Sequence, residues 1–141
     1  TLSSSSAASD VYKRQLDNET IGVDYARDFL PKYGFNLSQV NKVCELIMAT
    51  KVPQKPKNNL ERIICDADLD YLGREDFISI SSDFYKELKE YRMVKSKNHW
   101  DEIQIKFLQA HDFFTEFSIN MRSINKKKHL EFIKDRLLKN K

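Results

Sequence analysis

Residues 61–74 read ERIICDADLDYLGR, and the reading of this stretch decides the fold. Leu60 just before it, then Ile63, Ile64, Ala67 and Tyr71, recur at three- and four-residue spacing. That spacing predicts a helix with an inward apolar stripe. Asn58 or Asn59 caps its start, and it runs toward Gly73. Asp66, Asp68 and Asp70 stand two apart, which on a helix turns each from the next by about 200°. The three do not share one face, so one or two point inward. An inward carboxylate needs a partner, which a metal ion, a backbone donor or a basic residue such as Arg74 would supply. The alternative is a solvated acidic stretch or a helix-terminal salt bridge.

Helical spacing continues on both sides. Upstream, Val23, Ala26, Phe29 and Leu30 form a stripe that Gly34 stops, unless Pro31 ends the helix earlier. Asn36 or Ser38 caps the next helix, whose stripe is Val40, Val43, Cys44, Ile47 and Met48 and whose end lies near Thr50. The loop KVPQKPKNN (51–59) is the only Pro-rich stretch. Downstream, residues 76–92 carry Phe77, Ile80, Phe84 and Leu88, and a linker, MVKSKN (93–98), follows. A long aromatic-rich helix then spans about Trp100 to Met121, and a last helix covers 123–139 with Leu130, Ile133 and Leu137 on one side. Three glycines and three prolines are far too few for the regular turns of a sandwich or barrel. The expected class is all-α, a bundle of five to six helices.

The 141 residues suit one domain. Residues 1–15, TLSSSSAASDVYKRQ, hold five serines and no apolar periodicity, and read as a non-native or disordered leader rather than a secretory signal. The helical domain is assigned to 16–141. No apolar run approaches the ~20 residues of a membrane span. The net charge of +3 is too small to imply a nucleic-acid partner, although residues 122–141 set eight basic side chains against Glu131 and Asp135. Cys44 and Cys65 sit in apolar stretches without metal-ligand spacing, which reads as buried free thiols in a reducing cytoplasm.

ICDADLDYLGREDF (64–77) resembles the C-terminal metal-ligand helix of the HD-superfamily metal-dependent phosphohydrolases. NETIGVDYARDFLPKYGF and IMATKVPQKP upstream, and WDEIQIKFLQAHDFFTEFSINMRSINKKKHLEFIK downstream, resemble flanking segments of a bacterial subgroup. The resemblance runs from about Leu16 to Lys134 and implies an HD-domain-like bundle. It further implies hydrolysis of a phosphoester, nucleotides and cyclic nucleotides included, by a metal-activated water. Members hold a divalent ion through a first His, a His-Asp dyad and a distant Asp, and the matching Asp here is Asp68. Mn, Mg, Fe, Co and Zn all suit such a ligand set. The ion lowers the pKa of a bound water and polarises the phosphoryl oxygen. Asp66 and Asp70 would orient ligands or waters. Lys51, beside Lys55 and Lys57, would meet substrate phosphate, and Arg74 is a further candidate.

No histidine precedes His99, so the first His and the dyad have no match in this chain. The expectation is the C-terminal part of a hydrolase domain, truncated at its N-terminus and inactive alone. His111–Asp112 spells the dyad but follows the ligand helix, the wrong order, and reads as a packed, hydrogen-bonded histidine. His99 and His129 read as surface residues, Phe107, Phe113, Phe114 and Phe117 as core, and Lys126–Lys128 as a solvated helical face. The expected partner is a phosphorylated small molecule or nucleotide, with no membrane and no nucleic acid. The alternative is a non-catalytic regulatory or interaction module acting through the basic C-terminal helix. A stand-alone nucleic-acid binder comes third.

Overall fold

The computed structural model describes residues 16–140, the first two by backbone alone. The leader assigned to 1–15 lies outside the described residues. Six α-helices are present among them, with no strand: α1 (Leu16–Phe29), α2 (Leu37–Ala49), α3 (Asn59–Asp68), α4 (Phe77–Glu90), α5 (Lys97–Ala110) and α6 (Glu116–Lys139). Two 3-10 turns, Leu30–Tyr33 and Asp70–Gly73, follow α1 and α3. The all-α class is as the sequence indicates. The chain divides after Asp68 into two compact units.

In the first unit, α1 stops at Phe29 because Pro31 follows. A single 3-10 turn then closes on Gly34, whose φ of 85° a side-chain residue rarely adopts. Its N–H donates to Pro31 O at 3.2 Å. Asn36 and Gln39 cap α2 reciprocally: Gln39 N–H donates to Asn36 Oδ1 at 3.0 Å and Asn36 N–H to Gln39 Oε1 at 2.9 Å. Val23 and Ala26 of α1 pack on Val40 and Cys44 of α2, with Leu30, Val43 and Ile47 around them. Phe29 and Met48, expected in these stripes, are instead 45% and 41% exposed. Val23 with Ala26, and Val40 with Cys44, suffice to face the two helices.

The second unit is built on Leu69, Leu72, Phe77, Leu108, Phe113 and Ile133. Through its middle runs a polar chain. Asp101 is fully buried and accepts from Arg136 Nε at 2.9 Å and Nη2 at 2.7 Å. Gln104 donates to Asp101 at 3.2 Å, Ser81 donates to Gln104, and the Trp100 indole donates to Ser81 at 3.3 Å.

The long helix expected over 100–121 is in fact two. α5 ends at Ala110, His111 is extended (φ −82°, ψ 134°), and Thr115 caps α6 by accepting from Ser118 N–H at 3.2 Å. The capping hydroxyl ends the helix at Ala110 rather than at Met121, where apolar spacing alone places it. Phe113 is buried as expected, but Phe117, on the first turn of α6, is exposed.

Gly73 lies against the α6 backbone. A Cβ there would come within 2.5 Å of Arg122 O and 2.8 Å of its Cα. Gly73→Ala is expected to cost about 1–3 kcal/mol, toward the upper end because backbone has little room to yield. Asp101→Ala, which removes the buried partner of the half-buried Arg136 guanidinium, is expected to cost about 3 kcal/mol. Urea denaturation checks both, as midpoints that fall at constant slope.

Candidate functional site

The site grows from the start of α3. Asn58 Oδ1 accepts from Glu61 N–H at 3.0 Å, and Glu61 returns two bonds, from Asn58 Nδ2 at 3.0 Å and Lys57 N–H at 2.6 Å. A carboxylate three residues into a helix also suits the positive end of its dipole. Glu61 is buried, and this turns α3 away from the expected orientation. The buried face is Glu61, Cys65 and Asp66. Leu60, Ile63 and Ala67 of the expected inward stripe are exposed, and Ile64 and Tyr71 are half-buried.

Glu61, Cys65 and Asp68 fall at i, i+4 and i+7, one per turn along one side of α3. Each engages the segment from Ala49 to Lys57. Glu61 holds Lys57 N–H, the Cys65 thiol donates to Ala49 O at 3.1 Å, and Asp68 Oδ2 accepts from Gln54 Nε2 at 3.0 Å. Gln54 also donates to Thr50 O at 3.2 Å. Burial first, then the charges of Asp68, Asp66 and Glu61, push the Cys65 thiol up to about 11, so it stays a protonated donor. Both cysteines are free and buried, as expected.

Asp68, at the end of α3, keeps an exposed side chain. Burial of part of the group and the charge of Glu19 on α1 raise its pKa above the ordinary carboxylate value, and the Gln54 bond opposes them. Glu19 Oε2 and Gln54 Oε1 are buried acceptors without a hydrogen-bond partner. No ion pair among the described residues involves Asp68.

The other candidates are placed differently. Asp66 is 3% exposed on the inner face of α3. In the second unit, Asp70 accepts from Arg122 Nε at 2.7 Å. Arg74 donates to Asp76 through Nε at 3.0 Å, and this bond holds the Asp76 carboxyl below its usual range. Lys51 is exposed and lines a groove of the first unit.

The histidines all belong to the second unit. His99 Nδ1 accepts from Lys95 N–H at 3.1 Å, and His111 is buried and accepts from Lys126 through its carbonyl and, at 3.3 Å, Nδ1. His129, expected on the surface, stacks on Phe77 at 4.6 Å and donates through Nδ1 to Leu72 O at 2.9 Å. Lys126, expected in a solvated run, is half-buried, and that burial lowers its pKa.

A divalent ion fits this set only in part. The Asp68 corner offers hard oxygen donors, but no group of three or more His, Cys, Asp and Glu residues able to hold a metal occurs among the described residues. A stable centre takes three or four protein ligands. No helix among them is long and apolar enough to cross a membrane. Comparisons with family models, with curated proteins and with solved structures found no match.

A carboxyl that keeps its proton to higher pH when folded stabilises the fold below its unfolded pKa. It loses that contribution as pH rises through the folded value. Asp68→Asn, which mimics the protonated form, is therefore expected to raise the melting temperature at pH 7. The gain is expected to be under about 1 kcal/mol for so exposed a group and to vanish below about pH 4. A variant less stable than the parent at pH 7 would contradict the raised pKa.

Proposed function

We propose that the chain is part of a metal-dependent phosphohydrolase of the HD type, in which Asp68 contributes one carboxylate to a divalent-ion site. The observation that carries this reading is the contrast among the three aspartates of the DADLD stretch. Asp66 is buried, Asp70 is committed to Arg122, and Asp68 keeps an exposed carboxylate beside Glu19 with only an amide as its hydrogen-bond donor. A cation would relieve that repulsion. The histidine ligands would come from outside the described residues, and the substrate would be a phosphorylated small molecule or nucleotide in the cytoplasm.

Titrating Mn2+ into the isotope-labelled chain tests the assignment. Paramagnetic broadening is expected around Glu19, Gln54 and Asp68, at millimolar metal, and is expected to disappear in Asp68→Asn. Broadening centred on the Glu131–Asp135 stretch, or unchanged in the variant, would refute it. Because the ligand set is short, hydrolysis of p-nitrophenyl phosphate by the 141-residue chain is expected to stay at background with added Mn2+.

A second reading, an interaction module working through α6, is favoured by Phe117, Met121 and Ile124. They stand at i, i+4 and i+7 with exposures of 67%, 55% and 68%. In that case Asp68→Asn leaves partner binding untouched, while Phe117→Asp and Ile124→Asp abolish it.

A further inference from the structure

The loop between α2 and α3 has two sides. From Lys51 to Lys57 exposure alternates: Lys51, Pro53, Lys55 and Lys57 are exposed, and Val52, Gln54 and Pro56 are half-buried. Residues 51–53 form a bend, and two prolines with φ fixed near about −65° stiffen the loop. Gln54 turns to Asp68, whereas all three lysines border a separate open groove of about 910 Å³ within the first unit. Asp68, Glu19 and Gln54 do not line it.

The charges around this groove do not balance. Arg27 of α1 joins Lys51, Lys55 and Lys57 on its rim. None of the four takes part in an ion pair or ring contact among the described residues. Two carboxylates also border the groove, which leaves an excess of two positive charges on its lining. Glu45 is paired with Lys42 at 3.1 Å, and Glu61 is spent on the cap of α3. The wall between is apolar: Val23 and Cys44, both buried, with Met48 and Val52.

We propose that this groove binds a small organic anion of the phosphate class, one carrying at least two negative charges and a flat apolar body. Four cations against two carboxylates leave a net attraction for an anion, and charge-assisted bonds to phosphate oxygens are the strong kind. The apolar wall supplies the area that inorganic phosphate leaves unused. The volume falls in the range of small-molecule sites, roughly 300–1,000 Å³. A nucleic acid would need a basic stripe extending beyond one concave patch. The site is independent of the metal reading of Asp68, since it shares no side chain with that corner.

The test is calorimetry on the full 141-residue chain in EDTA, with ADP, pyrophosphate and adenosine as probes. ADP is expected to bind with micromolar to low-millimolar affinity, at least several-fold tighter than pyrophosphate, and adenosine not detectably. The Lys55→Glu, Lys57→Glu double variant is expected to weaken ADP by tenfold or more. Because the Lys57 N–H donates to the buried Glu61 carboxylate, a Lys55→Gln, Lys57→Gln variant, which adds no negative charge beside Glu61, is measured alongside and is expected to weaken ADP in the same direction. Asp68→Asn is expected to leave ADP binding unchanged. Of the three methionines, Met48 alone lines the groove, so labelled-methyl spectra should show Met48 shifting and Met93 and Met121 still. The proposal is overturned if adenosine binds as well as ADP, if the double charge reversal changes nothing, or if the shift appears at Met121. Tighter binding of an oligothymidylate than of ADP would also overturn it, assigning the groove to nucleic acid. Binding that requires Mn2+ would return the anion to Asp68, whereas loss of the metal reading leaves EDTA-resistant binding intact.

Discussion

The arrangement of the first unit depends on Glu61. Its N–H donates to the capping Asn58 Oδ1 and its carboxylate accepts from Asn58 Nδ2 and Lys57 N–H, bracing a cap of a kind that contributes about 1 kcal/mol. The larger consequence is rotational. With Glu61 inward, the positions one and two turns later on that side, Cys65 and Asp68, are drawn toward the preceding loop. Of the three polar contacts, one per turn, that of Cys65 reaches Ala49 O at the end of α2, and those of Glu61 and Asp68 hold the loop, which has no helical or strand pairing of its own. This is how a loop with two prolines and three lysines comes to present its cations on one side and Gln54 on the other.

The second unit solves a different problem. Its interior accepts a full charge, Asp101, and neutralises it with a bidentate Arg136 and a relay of Gln104, Ser81 and Trp100. Replacing such a pair with well-packed apolar residues is often neutral or stabilising, but removing one member is severe. The geometry ties α5 to the last turns of α6 at one register. Asp70 and Arg122, with Gly73 pressed on the Arg122 backbone, fix the same helix near its first turns.

Local signals in the sequence carried far where the physics is local. Pro31, Gly34, Asn36 and Thr50 set the limits of α1 and α2 as their chemistry dictates, and both cysteines are buried thiols. Apolar spacing misled where a polar group outranked it. Leu60 and Ile63 form a plausible stripe, yet the buried capping role of Glu61 places them in solvent. The i, i+4, i+7 spacing of Glu61, Cys65 and Asp68 was the available signal for the true face, hidden by its mixed chemistry. Similarly, Thr115 splits a helix that Phe107, Phe114 and Phe117 make look continuous. Of the candidate site, Asp68 was legible through its motif. Glu19 and Gln54 were not, because only the packed chain brings α1 and the loop to it. The pairing of Arg27 with the loop lysines around one groove is tertiary in the same sense.

The single tryptophan, Trp100, is buried with its indole bonded to Ser81 inside the second unit. Its emission therefore belongs to one half of the chain only. An unfolding curve followed by that fluorescence is blind to the half that carries Asp68 and the lysine groove. Set against far-ultraviolet dichroism, which sums every helix, it separates melting of one half from melting of both without any label.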